Sequence, residues 1–155
     1  MNLFKINRLS KNALFFLSLI NLSQGGKIDL VKDCFAIPKT DLSPPLSDAL
    51  QNKKAIESCL YKANSTNSTY AEDKTVLLPA GYVISTVSIE LANLTGVTLE
   101  IDGVIEASKH WEHYPMDQGG SMLDFINFND CNYLTIKGHG MVDGLGYDWW
   151  IREWN

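Results

Sequence analysis

The sequence predicts an all-β solenoid in which short strands wind rung upon rung in one direction, and three observations predict it. The segment Val-Thr-Leu-Glu-Ile-Asp-Gly-Val-Ile-Glu-Ala at 97–107 falls on Leu-Thr-Ile-Lys-Gly-His-Gly-Met-Val-Asp-Gly at 134–144, at a constant offset of 37 residues. In the first copy Val97, Leu99 and Ile101 alternate with Thr98 and Glu100, which is the period of a strand with one buried face. Gly103 and Gly140 occupy equivalent places, and each is expected to turn a corner in a left-handed backbone conformation that a residue without Cβ reaches cheaply. A strand–corner–strand unit cannot bury its apolar face alone, so its repetition marks a stack.

The elements follow in order. Residues 1–25 read as a secretory signal peptide: Lys5, Arg8 and Lys11 precede an apolar run over 13–20, with small residues Ser23 and Gly25 at the places a signal peptidase requires. Ser18 and Asn21 interrupt that run, which is too short for a membrane span of about 20 apolar residues. The mature chain is therefore expected outside the cytosol, with no membrane anchor after cleavage. Residues 26–74 form an N-terminal cap. Its Pro38, Pro44 and Pro45 forbid regular structure, and a short helix follows over 48–63. Asp48 is expected as its N-cap, with Gln51 completing a capping box and Asn64 ending it. Ala49, Ile56, Cys59, Leu60 and Ala63 share one face, which suits a lid over the first rung. Residues 75–155 are the first coils. A buried strand over 76–78 ends at Pro79 and Gly81, two short strands flank Ser85 and Thr86, and a loop over 108–120 separates the two copies. A further strand restarts over 122–128. Nothing near the aromatic residues at 149–154 reads as a second cap, so the stack is expected to be incomplete.

Composition narrows the function. Eighteen Asp and Glu against thirteen Lys and Arg give a net charge of −5. The basic residues are scattered, which excludes the clustered positive footprint of nucleic-acid binding. In an oxidising compartment Cys34 and Cys59 are a possible disulfide, leaving Cys131 over. Asn64, Asn67 and Asn93 head Asn-x-Thr sequons and are possible N-glycosylation sites.

Several blocks together carry a family resemblance: Val-Leu-Leu-Pro-Ala-Gly at 76–81, Leu-Glu-Ile-Asp-Gly-Val-Ile-Glu-Ala-Ser at 99–108, Phe-Ile-Asn-Phe at 125–128, and the run from Leu134 through Gly-His-Gly to Asp-Trp-Trp at 148–150. In order and spacing they resemble the N-terminal portion of the polygalacturonase (pectinase) family of glycoside hydrolases over about residues 48–152. The resemblance implies a right-handed single-stranded parallel β-helix, the fold of pectin and pectate lyases, with an N-terminal capping α-helix. It implies inverting hydrolysis of α-1,4-galacturonan in plant cell-wall pectin, a polysaccharide partner, no cofactor and a monomeric parent enzyme.

The resemblance also implies which residues this chain lacks. The family works through Asn-Thr-Asp, Asp-Asp, Gly-His-Gly and Arg-Ile-Lys motifs, and this sequence has no Asn-Thr-Asp, no adjacent Asp pair and no Arg-Ile-Lys. It has Gly-His-Gly at 138–140, but the internal repeat sets His139 against Asp102, an ordinary corner residue. No catalytic residue is therefore assigned, and no metal ligand either. His110, Glu112 and His113 fit no zinc spacing. Asp143 and Asp102 are expected to bond nearby amides, and Asp124 to sit on the outer face of a strand. Trp149, Trp150 and Trp154 are expected to pack, the adjacent pair pointing to opposite faces of a strand, while Tyr133 and Phe128 are expected as core or stack residues. The expected function is an N-terminal fragment of a secreted hydrolase, inactive alone. A non-enzymatic adhesion or binding module, or a polysaccharide lyase on the same fold, are the alternatives.

Overall fold

The computed structural model describes residues 26–153, apart from 117, 121 and 123. The expected signal peptide and Trp154 lie outside the described residues. Among the described residues nine short strands form three sheets, and each pairing between these strands is parallel. The first sheet holds β1 (Ile28–Asp29), β2 (Thr75–Leu78), β5 (Thr98–Ile101) and β8 (Thr135–Lys137) in that order. The second holds β3 (Val83–Thr86), β6 (Val104–Ala107) and β9 (Met141–Asp143), and the third β4 (Ile89–Ala92) and β7 (Ile126–Asn129). The chain visits the sheets in rotation: β2, β3, β4, then β5, β6, β7, then β8 and β9. Parallel neighbours cannot be joined by a tight hairpin, and here each visit to the other sheets supplies the long connection.

The internal repeat is the register. Thr98 pairs with Thr135, Leu99 with Ile136 and Glu100 with Lys137, and Val104 pairs with Met141. All hold the 37-residue offset. Alternation holds too, since Val97, Leu99 and Ile101 are buried in one core with Leu78, Ile84, Leu91 and Ile105. A preceding passage is shorter: Val83 pairs with Val104, 21 residues on. The longer spacing accommodates the excursion after β6, which carries a 3-10 turn over Trp111–His113 and a bridge between Met116 and Met122.

The glycine corners correct the expectation. Neither Gly103 nor Gly140 is among the residues with positive φ; Gly81, Gly96, Gly120 and Gly138 are. Space is the reason for Gly103 and Gly140. A Cβ on Gly103 would meet the Tyr82 carbonyl and come to 2.7 Å of the Pro79 carbonyl oxygen. One on Gly140 would meet the carbonyl of Gly103 itself and come to 2.8 Å of Asp102 C. The two glycines stack directly, and each lets the next corner close down on the last.

Three boundaries also differ. The break between β3 and β4 falls at Val87 and Ser88, and Ser85 and Thr86 lie within β3. The strand expected over 122–128 is β7, which begins only at Ile126, so Asp124 precedes it and its carbonyl accepts a bond from Ser88 Oγ at 3.1 Å. The aromatic run at the end is not a strand. It lies in a helix, Gly146–Glu153, so the two-face argument for Trp149 and Trp150 does not apply.

The capping helix α1 spans Leu46–Ser65 and buries Ala49, Ile56, Cys59, Leu60 and Ala63 as its periodicity requires. Its N-cap is Pro45, not Asp48. The Asp48 amide donates to the Pro45 carbonyl at 3.1 Å, so Asp48 is already inside the first turn, where its charge complements the helix dipole. Proline suits this place because its fixed φ costs nothing before a helix and it has no N–H to satisfy.

Disulfide Cys34–Cys59 ties α1 to the first passage of chain. Closing a loop of 25 residues contributes about 3 kcal/mol on the chain-entropy view.

Candidate functional site

Two ends of the stack differ, and the difference locates the candidate site. At the first end α1 satisfies the backbone that no earlier strand reaches. Glu57 Oε1 accepts from the Glu90 amide at 3.2 Å, Tyr61 Oη from Ala92 at 3.2 Å and Asn64 Oδ1 from Thr95 at 2.8 Å. These residues are one turn apart on one helical stripe, and together they cap the free edge of β4 and of the Thr95 bridge that follows it. Asn52, 1% exposed, does the same for the neighbouring sheet: its Oδ1 accepts from Ile37 N at 2.6 Å and its Nδ2 donates to Ile37 O and Ser85 O, both at 2.9 Å.

At the other end no strand among the described residues covers β7, β8 or β9. Ile136 and Val142 are 53% and 45% exposed, whereas their register partners Leu99 and Ile105 are 2% and 0% exposed. Met141 and Tyr133 are exposed as well, so of the core or stack place expected for Tyr133 the core is excluded; it stands at positive φ in the turn before β8. Phe128, by contrast, packs half-buried against the main core. A concave space of about 240 Å³ opens here, with Ile101 at its base and Ile136, Lys137, Met141 and Val142 around it. Its lining mixes aliphatic side chains with the Lys137 amine and the backbone of Gly138 and Gly140, and it offers no acid–base pair.

Lys137 is one of two lysines that converge on Glu100. Glu100, on β5, receives Lys27 Nζ at 2.7 Å on Oε1 from one side, and Lys137 Nζ lies 3.2 Å from Oε2 on the other. The hydrogen bond from Lys27 holds the Glu100 carboxyl below its usual value, and Lys137 adds to that. Lys39 pairs with Glu106 on β6 in the same manner.

Corner residue His139 follows the repeat as expected. Its backbone amide donates to Asp102 Oδ1 at 3.0 Å and its Nδ1 lies 3.3 Å from the same oxygen. The amide bond, and after it the ring, lower the Asp102 pKa. The imidazole is 98% exposed, so it has neither an enclosed substrate space nor a second catalytic partner. Asp143 also behaves as expected, accepting from the Leu145 amide at 2.9 Å.

Elsewhere the polar groups are engaged with each other. His110 and His113 both face Glu112, at 3.7 and 3.8 Å, on a 3-10 turn, and among the described residues no three His, Cys, Asp or Glu side chains are grouped to hold a metal. A second space of about 110 Å³ lies between the 42–44 segment and residues 106–110. Its Glu106 is paired to Lys39, its Lys109 to Asp148 at 2.9 Å, and its His110 ring to the Pro44 carbonyl at 3.3 Å.

The sequons divide. Asn67 and Asn93 are exposed, while the Asn64 amide is spent on the Asn93 carbonyl and the Thr95 amide. Cys131 is half-buried and donates to the Asn129 carbonyl. Residue-by-residue reading missed Asn52 and the Glu57, Tyr61, Asn64 stripe. The only signal for them was their helical spacing beside the apolar face. Comparison of the chain with family models, with curated proteins and with solved structures finds no match.

Proposed function

We propose that this chain is the opening part of a right-handed parallel β-helix belonging to a secreted, pectinase-type glycoside hydrolase. The observation that carries the reading is the asymmetry of the stack: strands recur in parallel register at 37 residues, one end is sealed by α1, and the other presents core positions to solvent. That is the shape of the first coils of a longer stack. The resemblance in the 76–81, 99–108 and 134–150 blocks supplies the substrate class, α-1,4-linked galacturonan.

Inverting hydrolysis needs an acid and a base carboxyl roughly 6.5–9.5 Å apart, with room for a water between them. Four carboxylates on or beside the stacked strands are committed to other work: Glu100 and Glu106 to lysines, Asp102 and Asp143 to backbone amides. The chain thus serves as cap and foundation, and the chemistry belongs to coils stacked on β7–β9. Reading the coding sequence beyond Asn155 tests this. Asn-Thr-Asp, Asp-Asp, Gly-His-Gly and Arg-Ile-Lys in frame are expected, with no reducing ends released from polygalacturonate by the 155-residue chain. Turnover by this chain alone, or a downstream frame without those motifs, overturns the proposal.

A further inference from the structure

We propose that the space of about 110 Å³ between segment 42–44 and residues 106–110 is a binding site for a neutral vicinal diol, carried by a small polyol or by the edge of one sugar unit. The inference goes beyond the hydrolase reading and does not draw on it.

The floor of the space comes from the second sheet. Ile84 and Ile105 turn into the core, so their neighbours Ser85 and Glu106 leave the sheet on its outer face. The two are register partners on β3 and β6, which sets them about 4.8 Å apart. Ser85 is 3% exposed, yet its hydroxyl has no hydrogen-bond partner among the described residues; Asn52 bonds only the Ser85 carbonyl. A hydroxyl so deeply buried is costly to leave unmet, and it lines the space where a ligand would meet it. Glu106 brings a carboxylate used on one side alone. Lys39 takes Oε1, and Oε2 has no partner among the described residues. Ser108, also 3% exposed, accepts from the His110 amide at 3.3 Å, and its hydroxyl proton has no acceptor among the described residues.

These groups select the ligand. A carboxylate oxygen accepts from one hydroxyl, while Ser85 donates to or accepts from the next. Hydroxyls on neighbouring carbons reach both groups at once, and a lone hydroxyl leaves one of them unmet. A charged ligand is disfavoured. Glu106 is already paired with Lys39, and Lys109 with Asp148 at 2.9 Å, so an ion would enter without a counter-charge. A metal is disfavoured too, because the lining holds one carboxylate and one imidazole, and that ring faces the Pro44 carbonyl at 3.3 Å. Leu42, Pro44 and Ala107 complete the walls with C–H surface, which complements the carbon side of a polyol. Leu42 is 94% exposed, so an occupant covers apolar surface that is otherwise wet. Size agrees as well: at about 30 Å³ for each water, the space holds roughly four waters or a polyol of three or four carbons.

The test titrates the full chain with erythritol, followed by backbone amide NMR. Saturable shifts are expected at residues 43, 85 and 106–110, with a dissociation constant on the order of 1–10 mM for a ligand of about eight heavy atoms. Three comparisons fix the chemistry. With 1,4-butanediol, which has four carbons and no vicinal pair, these amides should not saturate. Sodium galacturonate should bind no more tightly than erythritol. Ser85→Ala, which keeps the carbonyl bonded to Asn52, should weaken erythritol about fivefold. The butanediol comparison uses the unmodified chain, so the result does not depend on the variant folding. Methyl α-galactopyranoside separates the two sources: saturation by it identifies the edge of a sugar unit, and saturation by erythritol alone identifies a free polyol. Either result upholds the site. Absence of saturable shifts, equal response to 1,4-butanediol, tighter binding of galacturonate, or unchanged binding by Ser85→Ala overturns the proposal.

Discussion

Replacing Asn52 with alanine should remove the fastening that joins three parts of the fold. Asn52 lies on α1, and its amide bonds the Ile37 amide and carbonyl in the first passage and the Ser85 carbonyl in β3. The three bonds are not equal. Ile37 is 37% exposed, so water partly replaces the two partners there, at about 0.5–1 kcal/mol each. Ser85 is 3% exposed, and its carbonyl is left buried without that donor, which costs about 1–3 kcal/mol. The total comes to about 3 kcal/mol, against about 5–15 kcal/mol for the stability of a domain.

Urea unfolding, followed by far-ultraviolet circular dichroism and by tryptophan fluorescence, measures this directly. With a slope of about 2 kcal/mol per molar urea the midpoint should fall by about 1.5 M at unchanged slope. Ser58→Ala on the same helix, an exposed hydroxyl bonded only to the Ala55 carbonyl, should stay within about 0.5 kcal/mol. An Asn52→Ala chain destabilised by less than about 1 kcal/mol would refute the reasoning, because the cap would then be held by apolar contact alone.

Two further perturbations follow from the corners and from the ion pairs of Glu100. Gly140→Ala drives a Cβ into the backbone of the preceding corner, at 2.8 Å from Asp102 C and from Ile101 O, and should cost about 1–3 kcal/mol. Gly144→Ala meets nothing within 4 Å and should be neutral in the same thermal melt. Equal losses would show that the corner does not discriminate by space. Glu100 and Asp102 both have lowered pKa values in the fold. Their contribution is therefore present above the usual carboxylate range and is lost as pH falls through the depressed values. Side-chain carboxyl NMR should place Glu100 below 4.5 and Asp102 below 3.8. Lys27→Ala should raise the Glu100 midpoint. His139→Ala should leave Asp102 partly lowered, because the amide at 139 still donates; full return to the usual value would assign the effect to the ring.

Much of the fold was legible because it is written locally and then repeated. The alternation in 97–101 and the copy at 134–144 already carry strand type, face and register, since a slip of one residue would turn Leu99 and Ile101 outward. The apolar stripe of α1 was legible for the same reason. The corner glycines were found in the right places for the wrong cause. A left-handed turn is a property of one residue, whereas the contact that excludes a Cβ at Gly140 comes from Gly103, 37 residues away. His139 was placed correctly against Asp102 by the repeat alone.

What only the tertiary structure decided is everything that depends on which surfaces meet. The sequence by itself determined the period, the buried face, the capping helix and the pairing partners open to Cys34 and Cys59. It did not reveal the N-cap of α1 at Pro45, the helix that takes up Trp149 and Trp150, or the exposure of Tyr133. Nor did it show which carboxylates are occupied. Lys27 reaches Glu100 across 73 residues and Lys39 reaches Glu106 across 67, and ion pairs of that span exist only once the sheets are stacked. Periodicity is a local property, so it survives in the sequence; complementarity between surfaces arises only when the folded chain brings them together.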